Sequence, residues 1–273
     1  MERETNSRIW QLNQGETPLV TAAIHNGHNI RREVADIIAL SAEERLREED
    51  PFTWEWTIIS DTQIIGLQSR FEVDLNEPRE TAVNINPEQA WGLQVWKRNP
   101  SLEIINRSLA QYDAFYAEMH RLFSVLEKTF GHFVVFDLHS YNHRQDGING
   151  NFADPALNPE VNIGTGTMKR LRWALLVDRF IADLRAYKYN SRHFDVRENI
   201  RFRGGEFPRW IHANFPHSGC CISIAVKKFF MDEWTGDPYG LELDEIRLAL
   251  KSTIPGVKDE LEKLKITSVN VST

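Results

Sequence analysis

Apolar and polar positions along the chain switch repeatedly between a strand-like and a helical period. Pro18-Leu19-Val20-Thr21-Ala22-Ala23-Ile24 is a short, nearly unbroken apolar run, which predicts a strand leading directly into His25. From about Arg31 the spacing becomes helical, and Ser41-Ala42-Glu43-Glu44 has the form of a capping box opening a charged helix. Phe71-Glu72-Val73-Asp74-Leu75 alternates in character and predicts another strand. The longest helical pattern runs from Ser101 to about Phe130. Leu102, Ile105, Leu109, Tyr112, Tyr116, Met119, Phe123 and Leu126 recur along it, and Gly131 sits where a C-terminal cap belongs. Phe133-Val134-Val135-Phe136-Asp137-Leu138 follows at once, a run that suits a strand covered on both faces. A second amphipathic helix is predicted from about Lys169 to Tyr187, and a buried strand from Cys220 to Val226. A closing helical stretch from Leu243 to Leu264 is interrupted by Pro255. Strands alternating with helices predict an α/β fold around a central sheet.

Composition narrows this picture. A length of 273 residues allows one large domain or at most two small ones. With no repeat and no Gly/Ser linker in view, a single domain over residues 1–273 is expected. A chain of this size buries roughly three quarters of its unfolded surface and needs no disulfides for its core. The two cysteines, Cys220 and Cys221, are adjacent, and neighbours rarely bridge, so both are expected as buried thiols. A net charge of -7 argues against a nucleic-acid partner. No run of 18 apolar residues offers a membrane span, and the polar N-terminal stretch has no signal-peptide core. A cytoplasmic location is expected.

Candidate chemistry gathers where strands end, because ligands of open α/β sheets bind beyond the carboxyl ends of the strands. Ile24-His25-Asn26-Gly27-His28 presents two imidazoles three residues apart as a strand breaks at glycine. Phe136-Asp137-Leu138-His139-Ser140 ends a buried strand in a third. A catalytic zinc takes three protein ligands and keeps an open position, and His25, His28 and His139 can supply those three. Asp74 or Asp137 can then hold a ligand's second ring nitrogen. Against this stands the plainer reading that any one of nine histidines is a surface or hydrogen-bonded core residue. His120, His132, His193 and His212 are left with it.

Three motifs in order resemble the N-formylglutamate amidohydrolases, relatives of the zinc carboxypeptidases and aspartoacylases. They are the strand-His-x-Gly segment at His25, Ser69-Arg70-Phe71-Glu72-Val73-Asp74-Leu75-Asn76, and Asp137-Leu138-His139-Ser140. Phe230-Met231-Asp232-Glu233 resembles a fourth, Tyr-Met-Asp-Glu. The resemblance covers about Pro18 to Gly236. It implies a zinc-carboxypeptidase-like sandwich, with a roughly eight-stranded mixed sheet and helices on both faces. It also implies a zinc-dependent hydrolase of a linear amide C–N bond. The implied substrate is a small anionic N-acyl amino acid, N-formyl-L-glutamate, cleaved to glutamate and formate. His25 and His139 match zinc ligands, and His28 falls where relatives place a carboxylate ligand. Arg70 matches an arginine that acts on the scissile carbonyl or the substrate carboxylate, and Asn76 matches a substrate-binding asparagine.

The resemblance breaks at two positions. Relatives read Asp-Leu-Asn-Arg, but Glu77 follows Asn76 here, and a glutamate cannot clamp a carboxylate. Arg79, two residues on, is the expected substitute. Relatives also carry a glutamate on the strand before Lys227-Lys228, where this chain has Ala225. Glu206, Asp232 and Glu233 are the acids considered as replacement bases, and Glu233 is the one chosen. Two other readings stay open. One is a catalytically impaired relative that binds a metal or ligand; the other is a zinc peptidase or peptidoglycan amidase with a tryptophan-lined cleft. Pro216-His217-Ser218-Gly219 spells the family's usual first motif, yet it precedes a strand instead of ending one, so His217 is read as a loop residue.

Overall fold

The computed structural model describes residues 8–144 and 147–271, with side chains as far as residue 266. The two ends of the expected domain, residues 1 and 273, lie outside the described residues. Seven strands form one sheet in the order β1 (Trp10–Asn13), β3 (Thr62–Gly66), β2 (Leu19–Ala23), β4 (Phe133–Tyr141), β9 (Gly219–Lys227), β5 (Val161–Gly164) and β8 (Val196–Glu198). β3, β2, β4 and β9 run parallel, while β1 and the mutually parallel pair β5 and β8 run against them. The sheet is mixed, as the resemblance implies, with seven strands where about eight were expected. β6 (Lys188–Tyr189) and β7 (Arg192–His193) make a separate hairpin.

The helices are α1 (Arg32–Ala35), α2 (Ala42–Glu48), α3 (Thr53–Thr57), α4 (Leu102–Phe130), α5 (Ala174–Ala186), α6 (Glu206–Asn214), α7 (Gly240–Ser252) and α8 (Ile254–Val271). The central strands show why helices lie on both faces. Val134, Phe136 and Leu138 of β4 join a core with Trp56 of α3, Phe180 of α5, Ile246 of α7 and Val257 of α8. Phe133 and Val135 turn the other way, onto Phe123 of α4 and Phe207 and Ile211 of α6. Side chains alternate along a strand, so a continuous apolar run requires a cover on each side. Cys220 and Cys221 divide in the same way, one to each core, as free buried thiols that burial pushes upward in pKa.

α4 runs as its pattern predicts, with Ser101 accepting a hydrogen bond from the Ile104 N–H and Gly131 closing it at φ +78°. The capping box of α2 is present in full. Other expectations change. Phe71–Leu75 forms turns, because Glu72 and Asp74 are buried along with the apolar residues between them. Glu72 accepts from the Arg31 N–H and Nε, and Asp74 meets His25 and Arg70, so no solvent face remains for a strand. α5 begins only at Ala174, whereas the closing helical stretch breaks at Thr253 as expected, with Pro255 in the first turn of α8, where its missing N–H costs nothing.

Candidate metal centre and cleft

His25 and His139 arrive from neighbouring parallel strands. β2 pairs with β4 in register Ala22 to Asp137, so the two strands deliver both rings to one end of the sheet, with centroids 5.0 Å apart. The third group is Asp50, just past the end of α2. Its N–H donates to the His25 carbonyl at 3.0 Å, and its carbonyl accepts from the Thr53 hydroxyl at 2.7 Å. Ser140 Oγ donates to Asp50 Oδ1 at 3.0 Å, which turns Oδ2 toward the rings. His139 Nδ1 lies 3.0 Å and His25 Nδ1 3.5 Å from that oxygen.

The opposite ring nitrogens meet carboxylates. His25 Nε2 lies 2.7 Å from Asp74 Oδ1, and His139 Nε2 lies 2.9 Å from Asp137 Oδ1. The Asp74 hydrogen bond keeps the proton on His25 Nε2 and leaves its Nδ1 lone pair free to bind a cation, while Asp137 sits at ion-pair distance from His139. The chemistry of this donor set fits a metal. Ligand atoms of His25, Asp50 and His139 lie within 4.8 Å of one another, all three side chains are buried, and His25 Nδ1 has no hydrogen-bond partner. Two imidazoles and one carboxylate are a ligand set used by catalytic zinc.

Electrostatics point the same way. Burial works against the Asp50 carboxylate, yet hydrogen bonds with His139 and His25 hold it well below the ordinary range. Asp74 is likewise held low against burial by Arg70 and His25. Burial disfavours a charged His139, but Asp137 and Asp50 outweigh it and push the imidazole up to about 10. Three buried carboxylates therefore draw positive charge to this point, which a proton supplies when no metal does.

The cluster forms the floor of a cleft of about 660 Å³. Arg70 lines it, with Nε and one terminal nitrogen 3.0 and 2.8 Å from Asp74 Oδ2 and its guanidinium 4.7 Å over the Trp91 ring. Asn76 lines it too. Its Oδ1 accepts from the Phe207 N–H at 2.9 Å, leaving Nδ2 turned to the site, 3.5 Å from His139 Nε2. α4 fixes this segment, since Tyr116 and Tyr112 donate to the carbonyls of Leu75 and Glu77 at 2.8 and 3.0 Å. Ala225 pairs with His139 across β4 and β9 and faces the cleft, so the absent glutamate is absent from beside the cluster.

Three other residues singled out in the sequence do not join the cluster. His28 lies with its side chain 43% exposed and Nδ1 2.6 Å from Glu49 Oε2. Gly27 causes the separation: it packs on the Leu67–Gln68 peptide, where a Cβ would come within 2.1 Å of backbone, so the chain leaves the sheet before His28. Arg79 pairs with Asp113 on the exposed side of α4, at 2.7 Å. Glu233 accepts from the N–H groups of His143 and Arg144 at 2.6 and 2.9 Å, which ties down the loop after Asn142, and it does not line the cleft. The other base candidates are also engaged elsewhere. Glu206 holds Arg209, and Asp232 accepts from the N–H groups of Trp234 and Thr235.

Asp50 and Lys228 were missed in the sequence. Glu48-Glu49-Asp50 puts three acids at a helix C-terminus, where the dipole favours cations, and that mismatch was the available signal. Lys228 is buried, and it donates to the carbonyls of Arg47 and Glu49, the latter at 2.7 Å, locking the chain beside Asp50.

Fold and site together define an α/β protein with a buried two-histidine, one-carboxylate cluster of a kind that can hold a metal ion, at the ends of parallel strands and on the floor of a cleft. The family model described as N-formylglutamate amidohydrolase matches residues 17–228. The chain belongs to that family of amide hydrolases. Its structure is similar to an N-formylglutamate amidohydrolase from Ralstonia eutropha JMP134, with TM-score 0.72 and 16% identity over 94% of this chain and 99% of that one. A gene product from Agrobacterium tumefaciens aligns with TM-score 0.65 and 15% identity, over 94% and 97% of the two chains. A structure described as a carboxypeptidase A, from Shewanella denitrificans OS-217, aligns more loosely, with TM-score 0.38 and 14% identity over 89% and 57%. No curated protein sequence matches the chain. No described helix is long and apolar enough to cross a membrane.

Proposed function

We propose that this chain is a zinc-dependent amidohydrolase that cleaves the amide bond of a small anionic N-acyl amino acid, with N-formyl-L-glutamate the substrate suggested by its family. The observation that carries this reading is the pair of buried imidazoles, each backed by a carboxylate at Nε2 and each turning Nδ1 toward Asp50 at the floor of a cleft. His25, Asp50 and His139 would hold the ion. Bound zinc supplies Lewis acidity and acidifies water.

The remaining chemistry belongs to side chains. Arg70, braced by Asp74 and Trp91, stabilises negative charge that develops on the amide oxygen. Asn76 orients the substrate through Nδ2. A base must take the proton of the attacking water, and Ala225 cannot. Of the carboxylates lining the cleft, Asp50 belongs to the ion, and Glu48 is tied to Arg47 and Asn142 at 2.5 and 2.9 Å. Glu77 remains, and it takes that role. It is half-buried, and burial, with Asp74 close by, raises its pKa above the ordinary value, the direction a general base needs.

A panel of N-formyl, N-acetyl and N-succinyl amino acids, given to the zinc-loaded protein, tests the reading. Anionic N-formyl amino acids are the expected substrates. Turnover of none of them would leave the alternative suggested by Ala225, a relative that binds a metal and a ligand without catalysis.

A further inference from the structure

The cleft contains a second charged feature. Glu77 puts a negative charge on the cleft wall that repels an anionic ligand, and Arg79 is committed to Asp113. A small anionic substrate therefore needs cations from elsewhere in the cleft. Most are already engaged. Arg47 pairs with Glu48, Arg70 with Asp74, and Lys228 donates to backbone carbonyls and to Asn142. The exceptions are Arg201 and Arg203, on the loop between β8 and α6. Both line the cleft and are exposed to solvent, and neither enters an ion pair among the described residues. Their neighbours in sequence are paired: Arg197 with Asp195 at 2.9 Å, and Arg209 with Glu206.

The loop that carries them is fixed at both ends. Asn162, fully buried on β5, accepts with one oxygen from the N–H groups of Ile200, Arg201 and Phe202 at 3.1, 2.8 and 3.3 Å. Its amide donates to the Phe202 carbonyl at 2.8 Å. The Gly166 N–H then holds the Arg203 carbonyl at 2.7 Å. At the far end the Asn76 carbonyl accepts from the Glu206 N–H at 2.9 Å, and its side chain occupies the space that a Cβ on Gly205 would need, 2.5 Å away. A loop with this many backbone bonds fixes the main chain from which the two arginines project, so binding has only their side chains to order. Asn76 links this loop directly to the metal floor.

We infer that Arg201 and Arg203 form the carboxylate anchor of the cleft and select a dicarboxylic N-acyl amino acid. The inference rests on the amidohydrolase reading for its substrate, but it can be tested without turnover. Two guanidinium groups with no acidic partner among the described residues offer charge-assisted, fork-like hydrogen bonds to carboxylates, and they leave a neutral amide unrecognised.

The test is calorimetric titration of glutarate and of neutral glutaramide into the full chain with zinc supplied. Wild type should bind glutarate, more weakly as salt rises, and glutaramide poorly. Arg201→Ala and Arg203→Ala should each weaken glutarate binding at least about tenfold, with zinc content unchanged. Lysine at either position should fall between, because it keeps the charge and loses the fork. Equal glutarate affinity in all variants, or no binding by wild type, overturns the anchor. Kinetics separate the two claims. Hydrolysis with an unchanged KM in both alanine variants removes the anchor and keeps the enzyme. Absence of hydrolysis, with glutarate binding still lost in the variants, removes the enzyme and keeps the anchor.

Discussion

Replacing Glu77 by glutamine separates catalysis from stability, because the two respond in opposite directions. The carboxylate is half-buried near Asp74, and both burial and that neighbour disfavour its charged form. Glutamine keeps the shape and removes the charge, so unfolding in urea should show a stability that is unchanged or higher by up to about 1 kcal/mol. Activity should move the other way. A general base contributes about 10²–10⁴-fold, so kcat on an N-formyl amino acid should fall by about 3–5 kcal/mol in barrier height, with zinc content intact. The pH profile supplies a second readout. Wild-type kcat/KM should decline as pH falls through a carboxyl pKa above the ordinary 4.5, and that limb should vanish in the variant. A Glu77→Gln enzyme with wild-type kcat and the same acid limb would refute the assignment of the base.

Other outcomes follow from the same geometry. Elemental analysis should find that His139→Ala has lost most of its zinc while His28→Ala keeps it, since His28 is bound to Glu49 away from the cluster; equal loss in both would return His28 to the ligand set. Ala225→Glu should leave the rate unchanged or lower it, because it adds a carboxylate beside His139 and crowds a buried strand, yet it should restore activity to Glu77→Gln. Failure of that rescue, with zinc bound, would show that position 225 cannot deliver a base. His212 is partly buried and accepts from the Cys221 N–H at 3.0 Å, and loss of solvent holds its pKa down to about 4. Its neutral form fits the fold, so its contribution to stability should be complete above pH 6.5 and fall by about 3 kcal/mol as pH drops from there to about 4. His212→Gln should flatten that decline in urea titrations, and an identical acid dependence would contradict it.

The parts of the fold that could be read from the sequence are those whose signal is local. β4 and β9 are long apolar runs, and α4 carries both its periodicity and its caps, so each announces itself without reference to the rest of the chain. β3, β5 and β8 are three to five residues long and gain their stability from neighbours distant in sequence, so no local pattern marks them. The site divides in the same way. His25 and His139 are visible because they end strands, and Asp74 or Asp137 is suggested by the need for a partner at a ligand's second nitrogen; the structure hydrogen-bonds Asp74 to His25. Asp50 is not visible in that way, because its carboxylate reaches the rings only through the turn after α2, fixed by hydrogen bonds to His25, Thr53 and Ser140. His28 misled for the opposite reason. Spacing along the chain suggested a pair, and the packing of Gly27 on β3's far end separates them. Glu77 and Ala225 read in the sequence as two separate departures, and only the fold shows that both line the same cleft.

The most direct test of a zinc amidohydrolase at His25, Asp50 and His139 is formate release from N-formyl-L-glutamate during stepwise return of zinc to chelator-stripped protein. Activity should be absent at the start, rise linearly and level off at one zinc per chain, with Asp50→Asn showing neither tight uptake nor turnover. Full activity in the stripped protein, or a saturated zinc site in Asp50→Asn with wild-type turnover, would contradict the account.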